Sequence, residues 1–281
     1  MIKNHPACLL LCALILVLFP LTGARAGAFD TDGMLCLVNR DEKLPKDYVP
    51  EDMVLPDVPV NKKNQKDKIY MRPQAAAALE ELFAAAAGDG YTLLAVSGYR
   101  AYSTQSALFR QKVEAVGSRE AAQRTVAPPG ASEHQTGLAM DVVSDTFRNL
   151  NRLFLETDEG MWVNEHCWEY GFIIRYRTEW SGVTGVKAEP WHIRYIGREH
   201  AEAVTRLNIP YETYAAQIRL LPEYVIENGT AELFMGLYRD MDAGDNALIE
   251  VLENSGVDPS QQREALEEVT AYFDPQPADG Q

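Results

Sequence analysis

The chain has 281 residues, 46% hydrophobic and 24% charged, a composition that places it among globular proteins and argues against disorder over most of its length. Lys and Arg number 26 against 41 Asp and Glu, a formal charge of −15. A surface this negative repels phosphate backbones and anionic lipid, which argues against nucleic acid as a partner.

Residues 1–26 read as an export signal. Lys3 precedes the apolar stretch Ala7 to Leu21, and Thr22-Gly23-Ala24-Arg25-Ala26 supplies the small residues a signal peptidase needs. The stretch falls short of the about 20 residues of a spanning helix. A cleaved signal is therefore expected, with an uncleaved anchor as the alternative and membrane contact only in that case. Both place the remainder outside the cytoplasm, secreted or anchored at the cell envelope. Cleavage leaves Cys36 and Cys167. An oxidising compartment would permit their disulfide, and burial as two small hydrophobes is the other reading.

Residues 27–70 carry Pro45, Pro50, Pro56 and Pro59 and read as an extended arm rather than core. Arg72-Pro73 opens a helix with Leu79, Leu82 and Phe83 on one face, ended by Gly88-Asp89-Gly90. Tyr91 to Ser97 is a strand candidate, and Ser103 is placed to cap a helix running to Val116. Pro128-Pro129-Gly130 begins a loop that reaches Gly137, and Leu138 to Val143 reads as a strand. Trp162 to Tyr170 is helical, Phe172 to Tyr176 and Trp191 to Tyr195 are strands, and Arg198 to Leu207 and Tyr211 to Ile218 are short helices. The pattern predicts an α+β fold, a small mainly antiparallel sheet flanked by helices across residues 71–218. From Pro222 onward there are fourteen acidic residues against Arg239 and Arg263, and Leu233, Leu237, Leu248, Val251, Leu252 and Leu266 recur at helical spacing. Residues 219–281 thus read as an acidic helical C-terminal appendage with a solvated face.

Two segments carry chemistry. Ser132-Glu133-His134-Gln135-Thr136-Gly137-Leu138-Ala139-Met140-Asp141 sets an imidazole in a loop and a carboxylate inside an apolar strand. Strand alternation puts Ala139, Asp141 and Val143 on one face and Leu138, Met140 and Val142 on the other. A buried charge there needs a cation or donor. In Glu189-Pro190-Trp191-His192 a second His again has a carboxylate close by. Two His and one Asp suit zinc with a position left open, and zinc lowers the pKa of water towards about 7. Glu189 is too close to His192 in sequence to join as a ligand comfortably and is well placed as a base. His166 and His200 lack further ligands and read as surface residues, and Trp162, Trp168 and Trp180 as packing groups.

Ser97-Gly98-Tyr99-Arg100, Ala127 to Gly137, Asp141, Tyr170-Gly171-Phe172 and Glu189-Pro190-Trp191-His192 occur in this order. Together they resemble the VanY-type zinc D-alanyl-D-alanine carboxypeptidases, a group that includes peptidoglycan L,D-carboxypeptidases, over roughly Met71 to Ile218. The resemblance implies one zinc per chain on His134, Asp141 and His192, with Glu189 as catalytic base. It implies that Arg100 faces the scissile carbonyl or the terminal carboxylate, and that Gln105 and Ser132 hydrogen-bond the end of the substrate. The implied reaction is hydrolysis of the C-terminal D-alanine from peptidoglycan stem peptides. An L,D-carboxypeptidase, an endopeptidase and a catalytically silent wall-peptide-binding module are the alternatives. Two segments depart from the family's pattern, Gly185-Val186-Lys187-Ala188 and Arg175-Tyr176-Arg177. Both bear on the rim of the cleft rather than on the metal set.

Overall fold

A computed structural model describes residues 27–61, 69–219, 221, 223–240 and 258. The expected export signal and the tail positions Leu248, Val251, Leu252 and Leu266 lie outside these residues. Pro73 starts α1 (Pro73–Gly88), as an early proline can, because the first turn has no use for its missing N–H. Leu79, Leu82 and Phe83 are buried along its inner stripe. After β1 (Leu93–Ser97), α2 spans Tyr102–Val116. Ala101 occupies its N-cap position, so Ser103 lies inside the helix and does not cap it. The Arg100 amide is already bonded to the His134 carbonyl, and the helix can begin as soon as the chain leaves that contact.

The short α3 (Arg119–Ala122) leads to a 3-10 turn, Glu133–Thr136, and then to β2 (Ala139–Ser144). The helix expected from Trp162 begins earlier, as α4 (Asp158–His166). Thr157 caps it by accepting from the Gly160 amide at 3.0 Å, and Asp158 and Glu159 suit the positive end of its dipole. Its continuation, Cys167–Tyr170, is 3-10 and stops at Gly171, whose φ of 82° and close approach to the Tyr195 ring both require glycine. There follow β3 (Phe172–Ile174), α5 (Ser181–Thr184), β4 (His192–Tyr195), α6 (Arg198–Leu207), α7 (Tyr211–Ile218), α8 (Glu223–Asn228) and α9 (Ala231–Asp240).

The four strands form one antiparallel sheet in the order β1-β2-β4-β3, the predicted α+β arrangement. One face is dry: Met140, Val142, Phe172, Ile174 and Ile193 join Leu79, Leu82 and Val163 in the main apolar cluster. The opposite face carries Asp141, His192, Arg194 and Arg175, all buried. A second apolar cluster is built by α6 to α9, with Ile173 of β3.

Residues 27–61 are irregular, as their prolines dictate, yet they are not peripheral. Leu35 and Leu37 enter the second cluster, and Cys36, Val38, Leu44 and Val58 enter the main one. The same segment covers the edge of β1: the Ala95 amide donates to Pro59 O, and Ala95 O accepts from the Asn61 amide. The start of the acidic tail is likewise integrated, with Leu233, Phe234, Met235 and Leu237 buried against α6 and α7. Cys36 and Cys167 are both free thiols, each buried as a small hydrophobe. Among the described residues no helix is long and apolar enough to cross a membrane.

Candidate metal centre and substrate groove

Cross-strand pairing sets Asp141 of β2 opposite His192 of β4, and on the other side opposite Ser97 at the irregular end of β1. The 3-10 turn then brings His134 over the same spot. One ligand atom from each of His134, Asp141 and His192 lies within 4.8 Å of the others, and all three side chains are buried. The imidazoles meet edge to face with centroids 4.9 Å apart. His134 Nδ1 donates to Gly98 O at 2.8 Å, leaving Nε2 as a lone pair 3.4 Å from Asp141 Oδ2. Gly98 has to be glycine, because a Cβ there would come within 2.5 Å of Tyr70 O. His192 Nδ1 lies 3.1 Å from Asp141 Oδ1. Two imidazoles and a carboxylate, dry and convergent, fit a zinc ion with one open position.

Burial lowers the His134 pKa and the nearby Arg100 guanidinium adds to this, so the ring is neutral, as a ligand must be. Burial also opposes the charge on His192, but its contacts with Asp141 and Glu133 outweigh that and raise it to about 9. Asp141 is buried too, and His134 and His192 nevertheless hold its carboxyl well below the usual range.

All seven residues singled out from the sequence line one groove of about 480 Å³, together with Tyr176, Trp191, Lys112 and Leu150. Glu189 is partly buried, and among the described residues no donor hydrogen-bonds its carboxylate. Burial pushes its pKa up to about 7, where a base works best at neutral pH. Arg100 donates to Ser97 Oγ at 3.0 Å and to Gln105 Oε1 at 2.9 Å, and one of its nitrogens is 3.6 Å from Asp141 Oδ2. Gln105 has its other polar atom engaged as well, Nε2 donating to Ala127 O at 2.7 Å, so its visible work is to fix the Arg100 fork. Ser132 is buried, and among the described residues its hydroxyl has no protein partner, which leaves it available to a ligand.

Of the other histidines, His166 is on the surface as expected, paired with Glu169 at 2.8 Å. His200 is not. It is buried between Tyr214 O–H, which donates to Nδ1 at 2.6 Å, and Ile226 O, which accepts from Nε2 at 2.9 Å. Docking of α7 to α9 over α6 encloses it, and α6 alone gives no sign of that.

Three residues at the site were not anticipated. Tyr176 and Trp191 form part of the groove wall, and Glu133 is buried beside His192. Glu133 accepts from His192 Nε2 at 3.2 Å, from Arg175 Nε at 2.8 Å and from Arg194 NH1 at 2.9 Å. A signal for it exists in the sequence. Arg194 lies two residues after His192 and thus on the same strand face, and a buried guanidinium there calls for a carboxylate.

Comparison with known proteins places this geometry. Residues 68–198 match the family model VanY, described as D-alanyl-D-alanine carboxypeptidase. YodJ of Bacillus subtilis is 42% identical over 189 residues, covering 67% of this chain and 69% of YodJ. The chain belongs to the VanY family. That membership places it among the carboxypeptidases. Among solved structures, the LdcB LD-carboxypeptidase, described for its peptidoglycan recognition, aligns with a TM-score of 0.63 at 42% identity, over 66% of this chain and 87% of its own. A mutant of the vancomycin-resistance D,D-pentapeptidase VanY in complex with Zn(II) aligns with a TM-score of 0.54 at 32% identity, over 64% of this chain and 98% of its own.

Proposed function

We propose that this protein is a zinc-dependent carboxypeptidase, with one zinc per chain, that removes the C-terminal D-alanine from peptidoglycan stem peptides outside the cytoplasm. The observation that carries the reading is the convergence of His134, Asp141 and His192 at the floor of a groove that also holds Arg100 and Glu189. Zinc bound there would supply a Lewis acid for the scissile carbonyl and lower the pKa of water.

The chain's own groups do the rest. Glu189, with a pKa of about 7 and, among the described residues, no donor on its carboxylate, takes the proton from the attacking water and hands it to the amine of the departing D-alanine. Arg100, held by Ser97 and Gln105, presents a fixed guanidinium to the substrate's free carboxylate or to the oxygen that gains charge. Ser132 offers its hydroxyl to the same end of the substrate. Tyr176 and Trp191 wall the groove and limit water.

Cleavage of the D-alanyl-D-alanine bond is the leading reading, from the family description. Cleavage of the L,D bond one residue earlier is a second reading, favoured by the 42% identity with LdcB against 32% with VanY. Incubating the zinc-loaded protein with pentapeptide and tetrapeptide stems and weighing the products separates the two. D-alanine from the pentapeptide alone supports the first, D-alanine from the tetrapeptide supports the second, and release from neither overturns both.

A further inference from the structure

The reaction as described makes no use of the most heavily bonded carboxylate near the site. Glu133 is 1% exposed, and three donors occupy its two oxygens: Arg175 Nε at 2.8 Å and Arg194 NH1 at 2.9 Å on Oε1, and His192 Nε2 at 3.2 Å on Oε2. The arginines are themselves anchored. Arg175 forks onto both oxygens of Glu212 of α7, at 2.9 and 2.6 Å, and Arg194 donates to Met34 O at 3.0 Å and to Cys36 O at 2.8 Å. Neither guanidinium has exposed surface. Glu133 is thereby charged, dry and unable to swing. An isolated carboxylate at that depth would lose several kcal/mol of hydration, so the arginine pair explains how it can be there. It does not explain why one oxygen is turned to a histidine.

Taking the zinc reading above as given, we propose that Glu133 is a positioning residue for the metal, acting through His192. By accepting the Nε2 hydrogen it fixes the tautomer that His192 takes when a metal displaces its other proton, leaving Nδ1, the nitrogen that faces Asp141, as the atom that would bind the metal. A negative acceptor also makes the ring a stronger donor to a cation. His134 is oriented by the neutral carbonyl of Gly98 instead. The two imidazoles are therefore unequal ligands, and His192 is the one whose strength depends on a buried carboxylate in direct contact with it.

The test is zinc affinity of the full-length chain, measured by competition with a chromophoric chelator for the wild type, Glu133→Gln and Glu212→Gln. Glu133→Gln keeps the shape and removes the charge, and it should weaken zinc binding about 10- to 100-fold. Glu212→Gln weakens the same network two contacts beyond Glu133, at Arg175, and it should lower Tm while leaving zinc affinity within about threefold. Zinc affinity of Glu133→Gln within twofold of wild type overturns the proposal, as does a parallel loss in both variants. A wild-type chain that binds no zinc overturns the underlying reading, a different outcome from either. Nitrogen-15 spectra of the zinc-loaded wild type need no variant to fold. They should show His192 bound through Nδ1 with hydrogen on Nε2, and the reverse tautomer overturns the proposal.

Discussion

On β2 and β4, alternate residues point to opposite faces of the sheet, and the two faces have opposite chemistry. Met140, Val142 and Ile193 enter an apolar cluster with α1, while their neighbours Asp141, His192 and Arg194 enter a buried layer of charges. Both layers are fully buried, so burial alone does not separate scaffold from site. What separates them is tolerance. An apolar cluster loses stability gradually as methylenes are removed, whereas in the charged layer every group is the condition for its neighbour being buried. The apolar face holds the strands in place, and the charged face gathers His134, Asp141 and His192 beside Glu189.

The comparison can be broken in three ways. The largest effect is expected at Glu189, where Gln in place of Glu should leave the fold and zinc binding intact and lower kcat about 100- to 10,000-fold. Near-normal turnover with full zinc occupancy would remove Glu189 from its role. Next come paired changes on the two faces. Arg194→Met removes one of the two buried guanidinium partners of Glu133 and should lose about 3–5 kcal/mol, roughly 10 °C in Tm for a chain of this size. Leu79→Ala on the dry face, at 0% exposure, should lose about 2–5 kcal/mol. Thermal melts should look alike, and chelator competition should show weakened zinc binding only for Arg194→Met. Equal zinc loss in both would mean that the faces are not functionally distinct.

The smallest effect comes from His200, buried among the described residues with no carboxylate partner. Burial depresses the His200 pKa to about 4, against about 6.5 in an unfolded chain. As pH falls, the unfolded state takes the proton first, so stability is level above about 6.5, declines between 6.5 and 4, and levels again below. The loss from this group is about 3 kcal/mol. The stability gap between wild type and His200→Gln should therefore shrink on going from pH 7 to pH 4.5, and a gap that stays constant would show that His200 is not buried as a neutral ring.

Much of the candidate site is legible in the sequence alone. His134, Asp141, Glu189 and His192 stand in short segments whose residue types have few other uses, and the groove gathers all of them. The strands were legible by alternation, although β3 stops at Ile174 rather than Tyr176. Glu133 was not read, because an acid beside a histidine in a Pro/Gly loop looks like a solvated residue, and only the arrival of Arg175 from just past β3 and Arg194 from β4 makes it a buried one. His200 was missed for the same reason, since its cover comes from Tyr214, Ile226 and Phe234, later in the chain. The arm was misjudged because Leu35 to Val38 is too short a run to show a period, and its partners lie some 160 residues further on, as the bond from Arg194 to Met34 shows.

That bond has a practical consequence. The family match begins at residue 68, yet the carbonyls that receive Arg194 belong to Met34 and Cys36, and Leu35 O takes the hydroxyl of Tyr211. A fragment cut at the homology boundary would keep every group assigned to the chemistry and lose the backbone acceptors that let a guanidinium sit in the interior. The smallest self-sufficient version of this enzyme therefore starts upstream of Met34, and its leading segment is as much a part of the catalyst as the strands it rests on.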